Sequence, residues 1–251
     1  MSAYNAWNVT KASYCNVFSD IRGFFNAAWR WIVLFLAFSI LGGFFAGLLD
    51  LPILSSASAI IWIVASIAFA VDWQKKILLE STPGKLRFGA VEWRYLGLYI
   101  LFILALTLPT YLLSILSNKV TDASTQSEVA TVTVIIVLFF FALAILLYRF
   151  VLIFPATAIK NKEMTLKLSW ESTREHGIQV FIGILLCIVP INIIITILQG
   201  LMTHLLQTGT YFAFFLAILT DIFVVTAFMA LIALLSSFLA LTYRTLAPAG
   251  D

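Results

Sequence analysis

The sequence predicts an all-α polytopic membrane protein. Six transmembrane helices form three tandem helical hairpins, and a cytoplasmic interfacial entry segment precedes each hairpin. Three observations carry this expectation. Apolar residues come in blocks long enough to span a bilayer, a short basic and aromatic segment leads into every second block, and Lys and Arg gather on one side of the predicted spans.

Composition sets the solvent. Hydrophobic residues make up 62% of the 251 and charged residues only 11%, whereas a soluble domain carries about 25% charged residues. The surplus apolar surface calls for lipid, and helices satisfy their own backbone hydrogen bonds there. The alternation that marks barrel strands is absent from the sequence. A net charge of +3 without a long basic run argues against a nucleic-acid partner. Cys15 and Cys187 form neither a metal spacing nor a disulfide framework. Asn8-Val9-Thr10 is a formal glycosylation sequon, which the orientation below places inside. The first apolar run begins near Trp31, too late and too long for a signal-peptide core, and reads as a retained anchor.

The whole chain, residues 1–251, reads as one integral membrane domain, with a loose leader over 1–16 and repeat units near 17–76, 77–155 and 156–245. Phe18, Ile21, Phe25 and Ala28 fall on one helical face and predict an interfacial helix before the first span. The first span covers Trp31–Leu49, with Gly42, Gly43 and Gly47 as close-packing positions. Asp50-Leu51-Pro52 reads as a reversal. The second span, Ile53–Val71, carries four serines, among them Ser66, and ends at Asp72-Trp73-Gln74-Lys75-Lys76, a headgroup-level boundary. Thr82-Pro83 reads as a helix start. The third span, Tyr95–Leu116, should kink at Pro109. A polar turn is expected over 117–130. The fourth span runs from Thr131 to Leu147, is interrupted at Tyr148-Arg149, and resumes until Pro155.

In the third entry segment Leu166, Trp170 and Thr173 share a face. The fifth span, Gly177–Leu198, contains Pro190 and Asn192, the latter expected to bond to a neighbouring helix. A semi-polar connection is expected over Gln199–Thr210. Tyr211–Leu219 reads as an interfacial or re-entrant piece, broken by Asp221 from the sixth span, Phe223–Leu241.

Three entry segments resemble one another. Phe24, Trp29, Arg30 and Trp31 align without gaps to Phe88, Trp93, Arg94 and Tyr95, and Leu86-Arg87-Phe88 matches Leu166-Lys167-Leu168, which brings Arg94 onto Arg174. Trp73, Tyr148 and Tyr243 close the even spans. Two readings compete: a threefold duplication, or the gathering of Trp, Tyr and Arg at any membrane interface. Of the fifteen Lys and Arg residues, only Lys119 falls on the far side of the predicted spans. Both termini are therefore expected in the cytoplasm.

No motif for a zinc site, a phosphate-binding loop or a nucleophile is present. His176 and His204 fall on opposite sides of the membrane. The chain is accordingly expected to be no enzyme and to need no cofactor or metal. Polar residues at the span ends are the better leads, since ionisable groups in lipid are costly. Arg149 stands first. It either snorkels to the headgroups or pairs with Asp72 or Glu92 in a partly dry site. Glu92, Trp93, Arg94, Asp72, Pro155, Trp170 and Arg174 complete the candidate set, structural or functional.

The run Arg149-Phe150-Val151-Leu152-Ile153-Phe154-Pro155-Ala156, followed by Leu166 to Trp170 and Thr173-Arg174, resembles the YciC-like group of bacterial inner-membrane proteins. So does the boundary Glu92-Trp93-Arg94-Tyr95-Leu96. That group is similar to the membrane domain fused to some glycerophosphodiester phosphodiesterases. The likeness covers roughly residues 72–180. It implies a six-helix, multi-pass protein of the bacterial inner membrane and carries no catalytic residue onto this chain. The expected partners are the lipid bilayer and another membrane protein. The expected role is a non-enzymatic envelope or assembly factor, with transport of a lipid or small amphipathic molecule as the alternative.

Overall fold

The computed structural model describes residues 4–49, 53–81, 88–121, 126–207 and 211–247, all of it helix and short connections. The helices are α1 (Ala6–Phe18), α2 (Ile21–Leu49), α3 (Ile53–Leu79), α4 (Ala90–Thr121), α5 (Gln126–Leu147), α6 (Ile153–Ala158), α7 (Leu166–Thr173), α8 (Gly177–Gln207) and α9 (Tyr211–Leu246), with a 3-10 turn at Tyr148–Phe150. Five stretches are long and apolar enough to cross a membrane: Ile21–Phe38, Ala90–Pro109, Ala130–Ala158, Gly177–Leu205 and Ile218–Leu246. α3 has 27 residues, about 40 Å at 1.5 Å per residue. The described part of α3 carries Asp72, Lys75 and Lys76 near its C-terminal end.

The leader is not loose. Asn5 caps α1 by accepting from the backbone N–H groups of Trp7 and Asn8. Ala6, Val9, Thr10, Ser13 and Val17 then form a buried stripe at helical spacing, and the helix packs on α8 and α9. The ring of Tyr4 lies 5.2 Å from that of His176, and the Tyr14 hydroxyl donates to the carbonyl of Leu186 at 3.1 Å. Ten residues along α1 thus match ten along α8, so the two helices run side by side in the same direction for about 15 Å.

Pro190 explains the second contact. A proline has no N–H to give the carbonyl four residues back, which here is Leu186. Tyr14 supplies the missing donor from outside the helix. α8 continues unbroken through Pro190.

The entry segments also differ from the sequence reading. In their described parts the first two lead directly into the opening turns of α2 and α4, continuous with the long helices. Phe18, Ile21 and Phe25 are exposed apolar residues, while Phe24, Ala28, Trp31 and Ile32 turn inward. Asp20 accepts from the Gly23 N–H and so caps α2, and Glu92 accepts from the Gly89 N–H, the acid half of a capping box. Among the described residues, only the third entry segment is a separate helix, α7, capped by Thr165.

Three further expectations change. α9 is continuous from Tyr211 to Leu246, 36 residues, so Asp221 does not break it. An acid within a helix removes no backbone donor, so it has no means to stop one. α8 likewise runs on to Gln207 through the expected connection, and α4 continues to Thr121 into the expected polar turn. Asn192 donates to Ile188 in its own helix at 3.0 Å rather than to a neighbour. The interruption after Leu147 does appear, as the 3-10 turn. The reversal at Asp50-Leu51-Pro52 and the start at Thr82-Pro83 lie outside the described residues, as do Leu86 and Arg87.

α2 packs on α3, α4 on α5 and α8 on α9. α3 touches α4, α5 touches α8, and α9 touches both α2 and α3, so each pair meets the other two. The core centres on α3 and α9, where Phe69, Trp73, Met229, Leu234 and Phe238 are fully buried. α8 and α9 approach closely. A Cβ added at Gly183 would stand 2.3 Å from the Phe238 ring, so only glycine admits the aromatic there.

Candidate functional site

The ends of α3, α5 and α9 and the starts of α2, α4 and α8 meet in a polar collar at one end of the bundle. Four consecutive residues of α3 tie it together. The Trp73 indole N–H donates to Ser237 on α9 at 2.8 Å. The Gln74 amide donates to the Tyr95 hydroxyl on α4 at 3.1 Å. Lys75 pairs with Glu92 of α4 at 3.2 Å, and Lys76 pairs with Asp20 at the head of α2 at 2.7 Å. Successive helical residues point about 100° apart, so one turn of α3 reaches three neighbours.

More ties complete the ring. Tyr4 and Thr242 bond through their hydroxyls at 3.2 Å, and Asn161 donates to the Tyr243 hydroxyl at 2.8 Å. Ser169 and Thr173 of α7 both donate to the Arg149 carbonyl at 2.9 Å. That carbonyl sits in the 3-10 turn, where helical pairing lapses. Burial pushes the Tyr4 hydroxyl up to about 12, so it keeps its proton and its bond at any ordinary pH. The Lys76 ammonium bonded to Asp20 holds that carboxylate below its usual value.

The structure disperses the residues singled out from sequence. The Arg149 guanidinium lies over the Trp170 ring at 4.4 Å, a cation–π contact. Glu92, named as a partner for Arg149, is committed to Lys75 and to the Gly89 N–H. Asp72 is half-buried on α3. The Trp170 ring also packs on Phe150, with centroids 5.4 Å apart. Pro155 is buried in the first turn of α6, where no backbone donor is needed. Trp93 is 62% exposed, with Phe88 edge-on at 5.1 Å. Arg94 is exposed. Arg174 lines a polar cleft of about 710 Å³ with Asn5, Asn8, Glu171 and His176.

The aligned entry positions can now be compared. Trp29 and Trp93 are both exposed, Arg30 and Arg94 are both exposed, and Trp31 and Tyr95 are both buried. The third segment departs, since Thr173 is buried where Trp93 is exposed. Trp73 and Tyr243 are internal, at 1% and 7% exposure. They are therefore bundle ties rather than lipid-facing anchors.

Below the collar lies an apolar cleft of about 410 Å³ between α3, α4, α8 and α9. Its walls include Trp62, Phe102, Phe154 and Ile188, and its polar groups come from Ser66, Tyr95, Tyr148 and Ser236. The Ser66 hydroxyl is buried with no partner among the described residues, although a buried polar group normally has one. Ile63, Tyr99 and Ile103, which line the cleft, are also exposed at the apolar outer surface. The cleft therefore opens sideways between α3 and α4. The sequence held one signal for it, the serine on the second span. The spacing of Tyr95, Tyr99 and Phe102 puts them on one face of α4 but does not mark that face as the wall of a cleft.

No protein-family model, curated protein or solved structure matches the chain.

Proposed function

We propose that this chain is a non-enzymatic, six-span protein of the bacterial inner membrane, built as three hairpins with both termini in the cytoplasm, and that it carries a lipid or small amphipathic molecule in the cleft between α3, α4, α8 and α9. The cleft carries the reading. Its volume of about 410 Å³ falls in the range of small-molecule sites, roughly 300–1,000 Å³. Apolar walls suit a hydrocarbon chain, and the unpartnered Ser66 hydroxyl offers a bond to one polar group of the occupant. The lateral mouth at Ile63, Tyr99 and Ile103 faces the side from which a lipid arrives. The 27-residue length of α3 and its packing along α2 and α9 support a sixth span. The inner-membrane placement rests on the YciC-like resemblance and the one-sided Lys and Arg.

Two experiments test this. Reporter fusions at Asp251 and within 77–84 and 160–165 are expected to read cytoplasm, and one after Thr121 the outside. An external C-terminus would remove the six-span arrangement. Protein purified in mild detergent is expected to retain a lipid-like molecule detectable by mass spectrometry, and Ser66→Phe, which fills the cleft, is expected to lose it. Equal retention by wild type and Ser66→Phe at equal melting temperature would remove the cleft from the function.

A second reading, an envelope or assembly factor with a membrane-protein partner, draws on the exposed Trp29, Arg30, Trp93 and Arg94. A stoichiometric protein that co-purifies and is released by Trp93→Ala would favour it. The internal use of Trp73, Lys75, Lys76 and Glu92 leaves that reading fewer residues to offer.

A further inference from the structure

We propose that the groove between α4 and the loop after α6 binds the headgroup of an anionic phospholipid. The groove encloses about 530 Å³ and is lined by Arg94, Leu98 and Leu101 on α4 and by Lys160, Asn161 and Lys162 on the loop. Three cations thus face one space, and all three are exposed. None has an ion-pair partner among the described residues. Glu92, close to Arg94 in sequence, is held by Lys75 on the α3 side, and Glu163 does not line the groove.

The loop is built rather than slack. Its two backbone bonds, Lys160 N–H to Thr157 at 3.1 Å and Asn161 N–H to Ala156 at 2.9 Å, form the cap that ends many helices. The left-handed position in that cap usually belongs to glycine, yet Lys160 occupies it with φ 61°. Asn161 is pinned twice, donating to the Tyr243 hydroxyl and accepting from the Glu163 N–H at 2.8 Å each. Lys160 and Lys162 therefore flank a residue fixed to α9.

The groove also has a direction. Arg94 stands in the opening turns of α4, and Leu98 and Leu101 follow one and two turns further along the same face. Leu101 is 61% exposed. The exposed Trp93 beside Arg94 has the character of a headgroup-level residue. A space that is cationic at one end and apolar along the helix fits an amphiphile with a negative head. Nothing lies within 4 Å of a Cβ added at Gly97, which leaves width for a chain. Lys and Arg beside a membrane surface favour anionic over zwitterionic lipid. The cleft proposed above lies along the Tyr95, Tyr99, Phe102 stripe of α4, so the two sites stand or fall separately.

The test uses the full chain, stripped of lipid in detergent and titrated with phosphatidylglycerol or phosphatidylcholine, with bound lipid counted by native mass spectrometry. Wild type is expected to prefer phosphatidylglycerol. Arg94→Gln/Lys160→Gln/Lys162→Gln is expected to bind it about 100-fold more weakly, from the contribution of each cation beside an anionic lipid. Lys11→Gln/Arg22→Gln, exposed cations elsewhere, is expected to match wild type. Lys160→Gly separates binding from folding: it relieves the backbone, so the melting temperature should hold or rise while phosphatidylglycerol binding falls. The proposal is overturned if the triple variant binds phosphatidylglycerol as wild type does, if Lys160→Gly leaves binding intact, or if glycerol phosphate without acyl chains competes as well as the lipid.

Discussion

α8 and α9 are the packed pair of this molecule, and α4 and α5 are the bare one. The spanning windows of α8 and α9 are 39% and 44% buried, with mean hydropathies of 2.8 and 2.6. Those of α4 and of α5 with its continuation are 11% and 6% buried, with mean hydropathies of 1.6 and 3.0. Among the five windows in the described residues, the most apolar is thus the least covered by protein. In water this would be an aggregation surface. In lipid it is ordinary, because hydrocarbon solvates Leu and Phe as well as a neighbouring helix does. Hydropathy records the solvent. Contact between helices is recorded by other residues: glycine beneath a ring, a proline that frees a carbonyl, and serines and threonines such as Ser236, Ser237 and Thr242 that are buried on α9.

Glycine gives the sharpest contrast. Gly183→Ala on α8 drives a methyl group into the fully buried Phe238 ring, 2.3 Å away. A destabilisation of about 1–3 kcal/mol is expected from overpacking, read as a lower melting temperature in detergent. Gly97→Ala on α4 meets open space, so it should hold or raise the melting temperature through helix propensity. Equal losses at both sites would erase the distinction between the pairs.

Tyrosine gives the next. Tyr14→Phe removes the donor to the Leu186 carbonyl and is expected to cost about 1–3 kcal/mol for a stranded backbone acceptor. Tyr111→Phe on α4, where the side chain is 63% exposed, should be silent in the same melting assay.

Arg149 sits at the end of the bare pair and tests whether the collar anchors it. Arg149→Lys is expected to lose less than about 1 kcal/mol, because lysine keeps a cation near the Trp170 face, and Trp170→Leu should lose a similar amount. A large loss for lysine would mean that the guanidinium shape, rather than its charge, is required.

The smallest effect is electrostatic. The Asp20 carboxylate is depressed chiefly by its bond to Lys76. A depressed carboxylate stabilises the fold above its unfolded value, near pH 4, and that stabilisation fades as the pH falls through the folded value. Asp20 is largely exposed, so the change should be slight. The melting difference between wild type and Asp20→Asn should shrink as the pH is lowered from about 6 to about 3.

The contrast also explains what was legible. The long helices could be read because hydropathy reports lipid directly, and the break at Tyr148 because Tyr-Arg interrupts an apolar run. α1 was misread for the opposite reason. Its residues are polar enough to look like a tail, and only the cap at Asn5 and the spacing of Ala6, Val9, Ser13 and Val17 mark it. Asp221 suggests a boundary in the sequence, but a charge alone does not terminate a helix. At the site, no pattern within one helix says that Glu92 meets Lys75 rather than Arg149. The cleft and the groove belong to several helices at once. One stripe of α4 gives a wall without its facing surface.

The socket that Pro190 makes for Tyr14 has a consequence in time. α1 leaves the ribosome well before α8, which holds the carbonyl it must reach. Until then the opening helix has no seat. Docking of α1 therefore waits on the synthesis of α8, and a polypeptide cut short before α8 would carry an unseated α1 for quality-control proteases to find.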